Sequence, residues 1–178
     1  QLSPFKIFKL NNKNRINSIP KEIAGDVYSY LATIANNNGS YVYQIGGTEN
    51  HIHIACTLPK NVSISYLLEK VKSSSSKWIK AKSSKCANFA WQNGYAAFSV
   101  GERQIDTLVR CIKNQHEHHH KRVFEGELVG LFKAYNVEYD EKVYGIEMYE
   151  AYFALSGLEQ YDIDFICPGI RVHFCQGF

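Results

Sequence analysis

The sequence predicts an α+β fold in which an antiparallel sheet carries two helices on one of its faces. Short runs rich in apolar and aromatic residues, typical of strands, recur between Phe5 and Val100. Two longer segments with apolar residues at helical spacing lie between these runs. Turns rich in asparagine and glycine separate several of the elements. Together these patterns favour one main domain with a single layered core.

Two helices are predicted within this region. The first begins at Pro20, which suits a first helical turn, and its apolar pattern stops at the asparagine-rich turn 36–39. The second begins near Ser63 and keeps its apolar face through a run of serines towards Ile79. Each helix is therefore amphipathic and is expected to pack against the sheet.

The strand-like runs come before, between and after these helices. Two of them are joined by a turn that contains Gly46 and Gly47, and two flank Asn93-Gly94, the dipeptide that most favours a tight hairpin turn. The order strand, helix, two strands, helix, two strands indicates a sandwich of ferredoxin-like type. The predicted strands are 5–10, 41–45, 51–56, 89–91 and 95–100.

Helical patterns continue beyond the predicted sheet. Apolar residues from Ile105 to Ile112 predict a third helix that runs towards Lys121, and a further helical stretch covers 124–135. The clean periodicity is lost after Glu138. We therefore divide the chain into a domain at 1–143 and a C-terminal tail at 144–178, whose role the sequence leaves open.

Composition sets limits on the class of protein. The formal net charge of +3 is mildly basic, so it permits a nucleic-acid partner without demonstrating one. Neither a membrane-length apolar run nor a leader pattern is found, so we expect a cytoplasmic protein without a membrane partner. The 5 cysteines are widely spaced and include no CxxC pair, so we expect reduced thiols.

His51 and His53 are the first candidates for a chemical site. Two residues apart in a strand, they lie on one face while Ile52 and Ile54 lie on the other. Two neutral imidazoles on one face can share a divalent cation. Such pairs are common, however, and surface or core histidines are the more frequent explanation, so a metal site requires further ligands.

Gln115 on the predicted third helix could supply a further ligand. Cys111, four positions earlier, falls on the same helical face, so a nucleophile and a ligand could both approach the histidines. Magnesium or manganese at such a site would position a phosphodiester for in-line attack. The alternative is that Gln115 is an ordinary exposed residue. The histidine-rich segment 116–122 cannot surround one ion, because consecutive helical residues point in different directions.

Six segments in fixed order also match a known family. They are KNR (13–15), IGGTENHIH (45–53), SSSKW (74–78), FAWQNGYAAFSV (89–100), NQHEHH (114–119) and VEYDE (137–141). Together they resemble the single-tyrosine HUH transposases of small bacterial insertion sequences and their REP-associated relatives. The resemblance covers roughly residues 9–139 and is much more specific than the histidine pair alone.

The resemblance implies a site and a reaction. In this family two histidines and a helix glutamine hold Mg²⁺ or Mn²⁺, which correspond here to His51, His53 and Gln115. A tyrosine four residues before the glutamine attacks the DNA phosphate and forms a 5′-phosphotyrosine link. This chain has Cys111 at that catalytic position. We therefore expect a DNA transposase of impaired activity, and the alternative is a catalytically inactive protein that binds hairpin or single-stranded DNA.

The resemblance also implies partners. Single-stranded or hairpin-flanked DNA ends are the expected substrate, and a homodimer is expected because family members commonly form one. Basic residues in the matched segments and next to them are candidate phosphate contacts, although a solvated surface is the alternative for each. These DNA-binding candidates are Lys13, Arg15, Lys77 and Lys80.

Overall fold

A computed structural model describes residues 4–114, 161–162 and 171–174 of the chain. Up to Val100, its helices and strands follow one another in the order that the sequence patterns predict, except that residues 89–91 form no strand. Short 3₁₀ segments lie at Lys13–Arg15, Ser84–Cys86 and Glu102–Gln104. The main elements are β1 (Phe5–Asn11), α1 (Lys21–Asn37), β2 (Val42–Gly47), β3 (His51–Thr57), α2 (Ile64–Lys82), β4 (Ala96–Val100), α3 (Ile105–Lys113), β5 (Tyr161–Asp162) and β6 (Arg171–Phe174).

The strands form one sheet in the order β2-β3-β1-β4-β6-β5, and every neighbouring pair is antiparallel. Strand β1 lies between β3 and β4, so that Lys9 is aligned with His53 on one side and with Ala96 on the other. The order of the first four strands, with α1 and α2 as the crossing helices, is the ferredoxin-like arrangement. The predicted fold class is confirmed.

Helices α1 and α2 pack on one face of the sheet and enclose the larger core. Helix α1 buries Val27 and Leu31, and α2 buries Leu68 and Val71. The hydroxyl of Ser63 caps the start of α2 by accepting a hydrogen bond from the Tyr66 amide at 3.2 Å. The strands contribute buried side chains from alternate positions to this core, among them Phe8, Leu10, Ile52 and Ile54.

Helix α3 packs on the opposite face. Ile105, Leu108 and Ile112 lie three to four residues apart, and this spacing places them on one side of the helix. They contact a second, smaller buried cluster that includes Ile7 and Phe98 of the sheet. The third helix, which the sequence places beyond the predicted sheet, therefore packs on the second face of that sheet.

One predicted hairpin is absent. Asn93-Gly94 does not join two strands, because Trp91 forms only an isolated bridge with Asn12 and β4 begins at Ala96. Tertiary contacts hold this segment instead. The Lys72 ammonium of α2 donates to the carbonyls of Gln92 and Gly94. The Trp91 indole also donates to the hydroxyl of Ser75 at 2.9 Å.

Several predictions concern residues outside the described ranges. They are the continuation of the third helix to Lys121, the helix at 124–135 and the boundary between 143 and 144. Strands β5 and β6 belong to the same sheet as β4. Among the helices of the described residues, none is long and apolar enough to cross a membrane.

Candidate functional site

His51 and His53 lie side by side on the α3 face of β3. Their side chains are 3% and 1% exposed, and their ring centroids are 5.0 Å apart with the ring planes at 87°. Ile52 and Ile54 point into the larger core on the other face. The alternation of a strand therefore places both imidazoles in one buried position, as the spacing of the pair predicts.

Strand β1 supplies polar neighbours to the histidines. Asn11 is aligned with His51, and Lys9 is aligned with His53. Burial, together with the positive charge of Arg15, lowers the pKa of Lys9 to about 7. Sequence reasoning missed Lys9, because alternating apolar and basic residues suggest an edge strand with solvated lysines. In the structure β1 is central, and Lys9 is buried.

A tight loop between β2 and β3 holds the first histidine. The Nδ1 atom of His51 is 2.6 Å from Asn50 Oδ1 and 2.9 Å from Thr48 Oγ1. The Thr48 amide donates to the His51 carbonyl at 2.9 Å. A Cβ atom on Gly47 would collide with that same carbonyl oxygen, so the turn requires glycine at this position. The loop residues thus orient the His51 ring.

Asn12, which is fully buried, joins this loop to the basic segment Lys13–Arg15. Its amide donates to the Asn50 carbonyl at 2.9 Å, and its Nδ2 donates to the Glu49 carbonyl at 2.7 Å. The 3₁₀ segment that follows has positive φ at Asn14 and Arg15, 55° and 53°. Holding two non-glycine residues in this region costs free energy, which the surrounding hydrogen bonds offset. Lys13 and Arg15 therefore lie close to the histidine loop.

Helix α3 contacts the strand beside the histidines at a glycine of β2. Gly46 of β2 is aligned with His53, and a Cβ atom on Gly46 would lie 2.7 Å from the Ile112 carbonyl oxygen. The backbone at the end of α3 therefore rests directly on β2 beside His53. Any larger residue at position 46 would push this end of the helix away from the histidines.

Cys111 precedes Ile112 on this end of α3 and is half-buried against the smaller core. It is disulfide-bonded, which corrects the expectation that all the thiols are reduced. Cys56 and Cys86 are free and buried, and burial raises the pKa of both thiols. The position that the resemblance assigns to the nucleophile thus belongs to the helix end that contacts β2 beside His53.

The remaining candidate site residues lie outside the described ranges or on the opposite face of the sheet. Gln115 and the histidine-rich segment 116–122 lie outside the described residues, so their part in the site stays a prediction. Within the described ranges no group of three histidine, cysteine or acidic residues is arranged to hold a metal ion. Lys77 and Lys80 are exposed on α2, which covers the face opposite the histidines.

Comparisons with known proteins identify related sequences and folds. The sequence model of the IS200-like transposases matches residues 8–115, which include His51, His53, Cys111 and Gln115. No curated protein matches this chain.

Two solved structures are similar to this chain. One is a candidate transposase from Deinococcus radiodurans, with a TM-score of 0.49 and 18% identity over 62% of this chain and 89% of that chain. The other is a REP-associated tyrosine transposase bound to a REP hairpin, with a TM-score of 0.52 and 15% identity over 67% of this chain and 70% of that chain. At this level of identity, the second likeness supports the fold alone.

Proposed function

We propose that this chain, which belongs to the IS200-like transposase family, binds hairpin-flanked single-stranded DNA ends at the α3 face of its sheet. The observation that carries the proposal is the buried pair of histidines on β3, with the end of α3 resting on Gly46 beside them. Such a pair can hold a cation, and the neighbouring helix carries the position of the family's nucleophile. With a competent nucleophile at that position, the reaction would be the cleavage and rejoining of DNA by transesterification.

The donor set fits a divalent cation. His51, His53 and Gln115 would hold Mg²⁺ or Mn²⁺ through two imidazole nitrogens and one amide oxygen, and Mn²⁺ accepts imidazole more readily than Mg²⁺ does. A bound cation would polarise the phosphodiester and orient it for attack. The protein holds the two histidines in a fixed arrangement, because both are buried and β3 lies within the sheet.

Cys111 limits the ability of this chain to cleave DNA. A cysteine sulfur lies several ångströms short of the position that a tyrosine oxygen would reach, and rates fall steeply when a nucleophile is misplaced by about 1 Å. In its disulfide-bonded state Cys111 has no thiolate to attack with. These two facts favour the second candidate function, a transposase-derived protein that binds hairpin DNA but does not cleave it.

The DNA contacts follow from charge and position. Lys13 and Arg15 lie beside the loop that orients His51, so they can contact a phosphate held near the histidines. Lys77 and Lys80 on α2 could contact flanking DNA only if the strand passes around the sheet. The REP hairpin bound by the structurally similar transposase supports a hairpin as the substrate. We also propose that the protein is a cytoplasmic homodimer, as the family resemblance implies.

Calorimetric titration with Mn²⁺ tests the cation site. The unaltered chain should bind one ion, and His51→Ala should weaken that binding by at least about tenfold, because the remaining ligands cannot complete the coordination shell. His116→Ala is the matched control, since it removes a histidine from the segment that is not expected to bind. Unchanged affinity in His51→Ala would contradict the assignment.

Fluorescence anisotropy across a salt series tests the DNA partner. Hairpin and single-stranded DNA should bind more tightly than random duplex, and affinity should fall as salt rises because bound counterions are released. Lys13→Gln should reduce the slope of log affinity against log salt by about 0.7 to 0.9. Lys60→Gln, an exposed lysine between β3 and α2, is the control. Equal affinity for hairpin and duplex would exclude hairpin recognition.

A further inference from the structure

We propose that Asn50 is a positioning residue that holds His51 in the tautomer with its proton on Nδ1, so that the lone pair of Nε2 is directed to the cation. This inference rests on the proposed function, because it concerns a ligand of the proposed cation site. Asn50 itself touches neither the cation nor the DNA phosphate in this proposal. It acts through the ring of His51.

The hydrogen bond between the two side chains determines the tautomer. The carbonyl oxygen Oδ1 of Asn50 lies 2.6 Å from Nδ1 of His51. An amide oxygen can only accept a hydrogen bond, so Nδ1 must carry the proton. In the other neutral tautomer, two lone pairs would face each other at this short distance. A neutral imidazole has one N–H, and therefore Nε2 carries the lone pair.

Thr48 fixes which end of the Asn50 amide faces the ring. Its hydroxyl oxygen is 3.0 Å from Asn50 Oδ1 and 2.9 Å from His51 Nδ1. The hydroxyl can donate its hydrogen to Oδ1 and leave its own lone pairs towards the Nδ1–H group. Because the Thr48 hydroxyl donates to this atom, the oxygen rather than the NH₂ group of Asn50 is favoured at this position.

The backbone under Asn50 is held from two sides. Asn12 donates to the Asn50 carbonyl at 2.9 Å and to the Glu49 carbonyl at 2.7 Å. On the other side, the Thr48 amide donates to the His51 carbonyl. Because His51 is only 3% exposed, water cannot readily replace the Asn50 oxygen as the acceptor. The acceptor is thus positioned before any cation arrives.

The tautomer matters because a cation binds the lone pair of a neutral imidazole. When the partner of the non-ligating nitrogen is removed, metal affinity typically falls by roughly 10- to 100-fold. His53 provides an internal comparison, since it lies two residues further along β3, away from the loop that holds Asn50. A change at Asn50 should therefore alter the tautomer of His51 and leave that of His53 as it was.

Nitrogen-15 spectra of the histidine side chains, recorded on the metal-free full chain at about pH 8 where free imidazoles are neutral, test the proposal directly. The unaltered chain and Asn50→Asp, which keeps an acceptor oxygen, should both show His51 with its proton on Nδ1. Asn50→Leu, of similar shape but without an acceptor, should show a mixed or reversed population. If Asn50→Leu fails to fold, Asn50→Ala serves in its place. An unchanged His51 signal in the folded variant, or a proton on Nε2 in the unaltered chain, would overturn the proposal.

Calorimetry with Mn²⁺ gives a second readout. Asn50→Leu should weaken binding by roughly 10- to 100-fold, and Asn50→Asp should bind as tightly as the unaltered chain or more tightly. A lower melting temperature in Asn50→Leu with unchanged tautomer and unchanged affinity would reveal a purely structural role and overturn the proposal. If the unaltered chain binds no Mn²⁺, the proposed cation site fails, and the spectra alone decide whether Asn50 sets the tautomer.

Discussion

The two faces of the sheet are made by the same strands but have different chemistry. Towards α1 and α2, strands β1 and β3 present apolar side chains and the thiol of Cys56, with one buried lysine near the start of β1, Lys6, which donates to the hydroxyl of Ser99 at 2.8 Å. Towards α3, the same strands present apolar residues at one end and polar residues at the other. The buried or half-buried polar residues on that side are Lys9, Asn11, His51 and His53.

This difference separates stability from function. Each buried apolar side chain on the α1/α2 face stabilises the fold by roughly 1.5–3 kcal/mol relative to exposure. A buried polar group instead costs free energy unless its hydrogen bonds are satisfied. The α3 face therefore carries groups that a chain selected for stability alone would replace. We infer that the α1/α2 face holds the domain together while the α3 face holds the site.

The largest expected effect follows from restoring the nucleophile on the α3 face. Cys111→Tyr should convert a chain that forms no covalent DNA adduct into one that forms a Mn²⁺-dependent adduct, a gain of at least about 100-fold, because the phenol oxygen reaches the phosphate. A denaturing gel with labelled hairpin DNA measures the adduct. Reductant is included throughout, since Cys111 is disulfide-bonded.

Two controls make this experiment decisive. Adding His51→Ala to Cys111→Tyr should abolish the adduct, since the cation site would be lost. If the unaltered chain itself forms a metal-dependent adduct that iodoacetamide prevents, Cys111 is a working nucleophile. Our interpretation of it as a disabled position would then be wrong.

A pair of substitutions on β3 compares the two faces directly. Ile54→Ala on the α1/α2 face should lower the free energy of unfolding by about 2–5 kcal/mol, because it leaves a cavity in the larger core. His51→Leu on the α3 face should change it by only about 1 kcal/mol and abolish Mn²⁺ binding, because the half-buried Asn50 Oδ1 keeps its hydrogen bond from Thr48 when the imidazole is removed. Urea denaturation measures both values. The reverse order of the two effects would refute the division between the faces.

The contact between α3 and β2 gives a smaller effect. Gly46→Ala should destabilise the domain by about 1–3 kcal/mol, because its Cβ would lie 2.7 Å from a backbone oxygen of α3. Gly25→Ala is the matched control, since a Cβ there meets nothing within 4 Å and α1 should gain about 0.5–1 kcal/mol. In a Cys111→Tyr background only Gly46→Ala should also reduce adduct formation. A neutral Gly46→Ala would show that the end of α3 is not seated against β2.

The smallest effect concerns the thiol on the α1/α2 face. Burial raises the pKa of Cys56 to about 12, a value that already includes the smaller, opposing effect of the Lys6 charge. Because an unfolded thiol ionises near pH 8.5, the buried thiol contributes stability below about pH 8.5 that is lost as pH rises towards 12. Between pH 7 and pH 9 this loss amounts to about 1 kcal/mol. Cys56→Val should lose less stability over that interval, as thermal melts at both pH values would reveal, and identical losses would contradict the raised pKa.

Local patterns were sufficient for most of the fold. The apolar spacing in α1 and α2 and the alternation in β1 and β3 led to elements whose observed ends differ from the predicted ones by only a few residues. The same alternation placed His51 and His53 on one face. The hairpin predicted at Asn93-Gly94 was wrong. The contacts of Lys72 and Ser75 with that segment join residues far apart in the chain, so they leave no local pattern in the sequence.

The site was less predictable than the fold for the same reason. Lys9 became a neighbour of His53 only because β1 pairs with β3 in the middle of the sheet. The hydrogen bonds of Asn12 and Asn50 depend on two loops meeting in space. The role that we expect for position 111 came from resemblance to a family, since helical spacing alone cannot distinguish a nucleophile from any other half-buried residue.

The central place of β1 has a consequence for how the domain folds. Strand β1 comes first in the chain but pairs with strands that come much later. For example, Lys6 donates a hydrogen bond to Ser99, a residue 93 positions further along the chain. Sheets built from such distant pairings have high contact order and fold slowly. The histidines cannot reach their final surroundings until β1 is in place, because Lys9 and Asn11 are their neighbours. We therefore expect a cation to bind only after the slow step, and so to slow unfolding far more than it speeds folding.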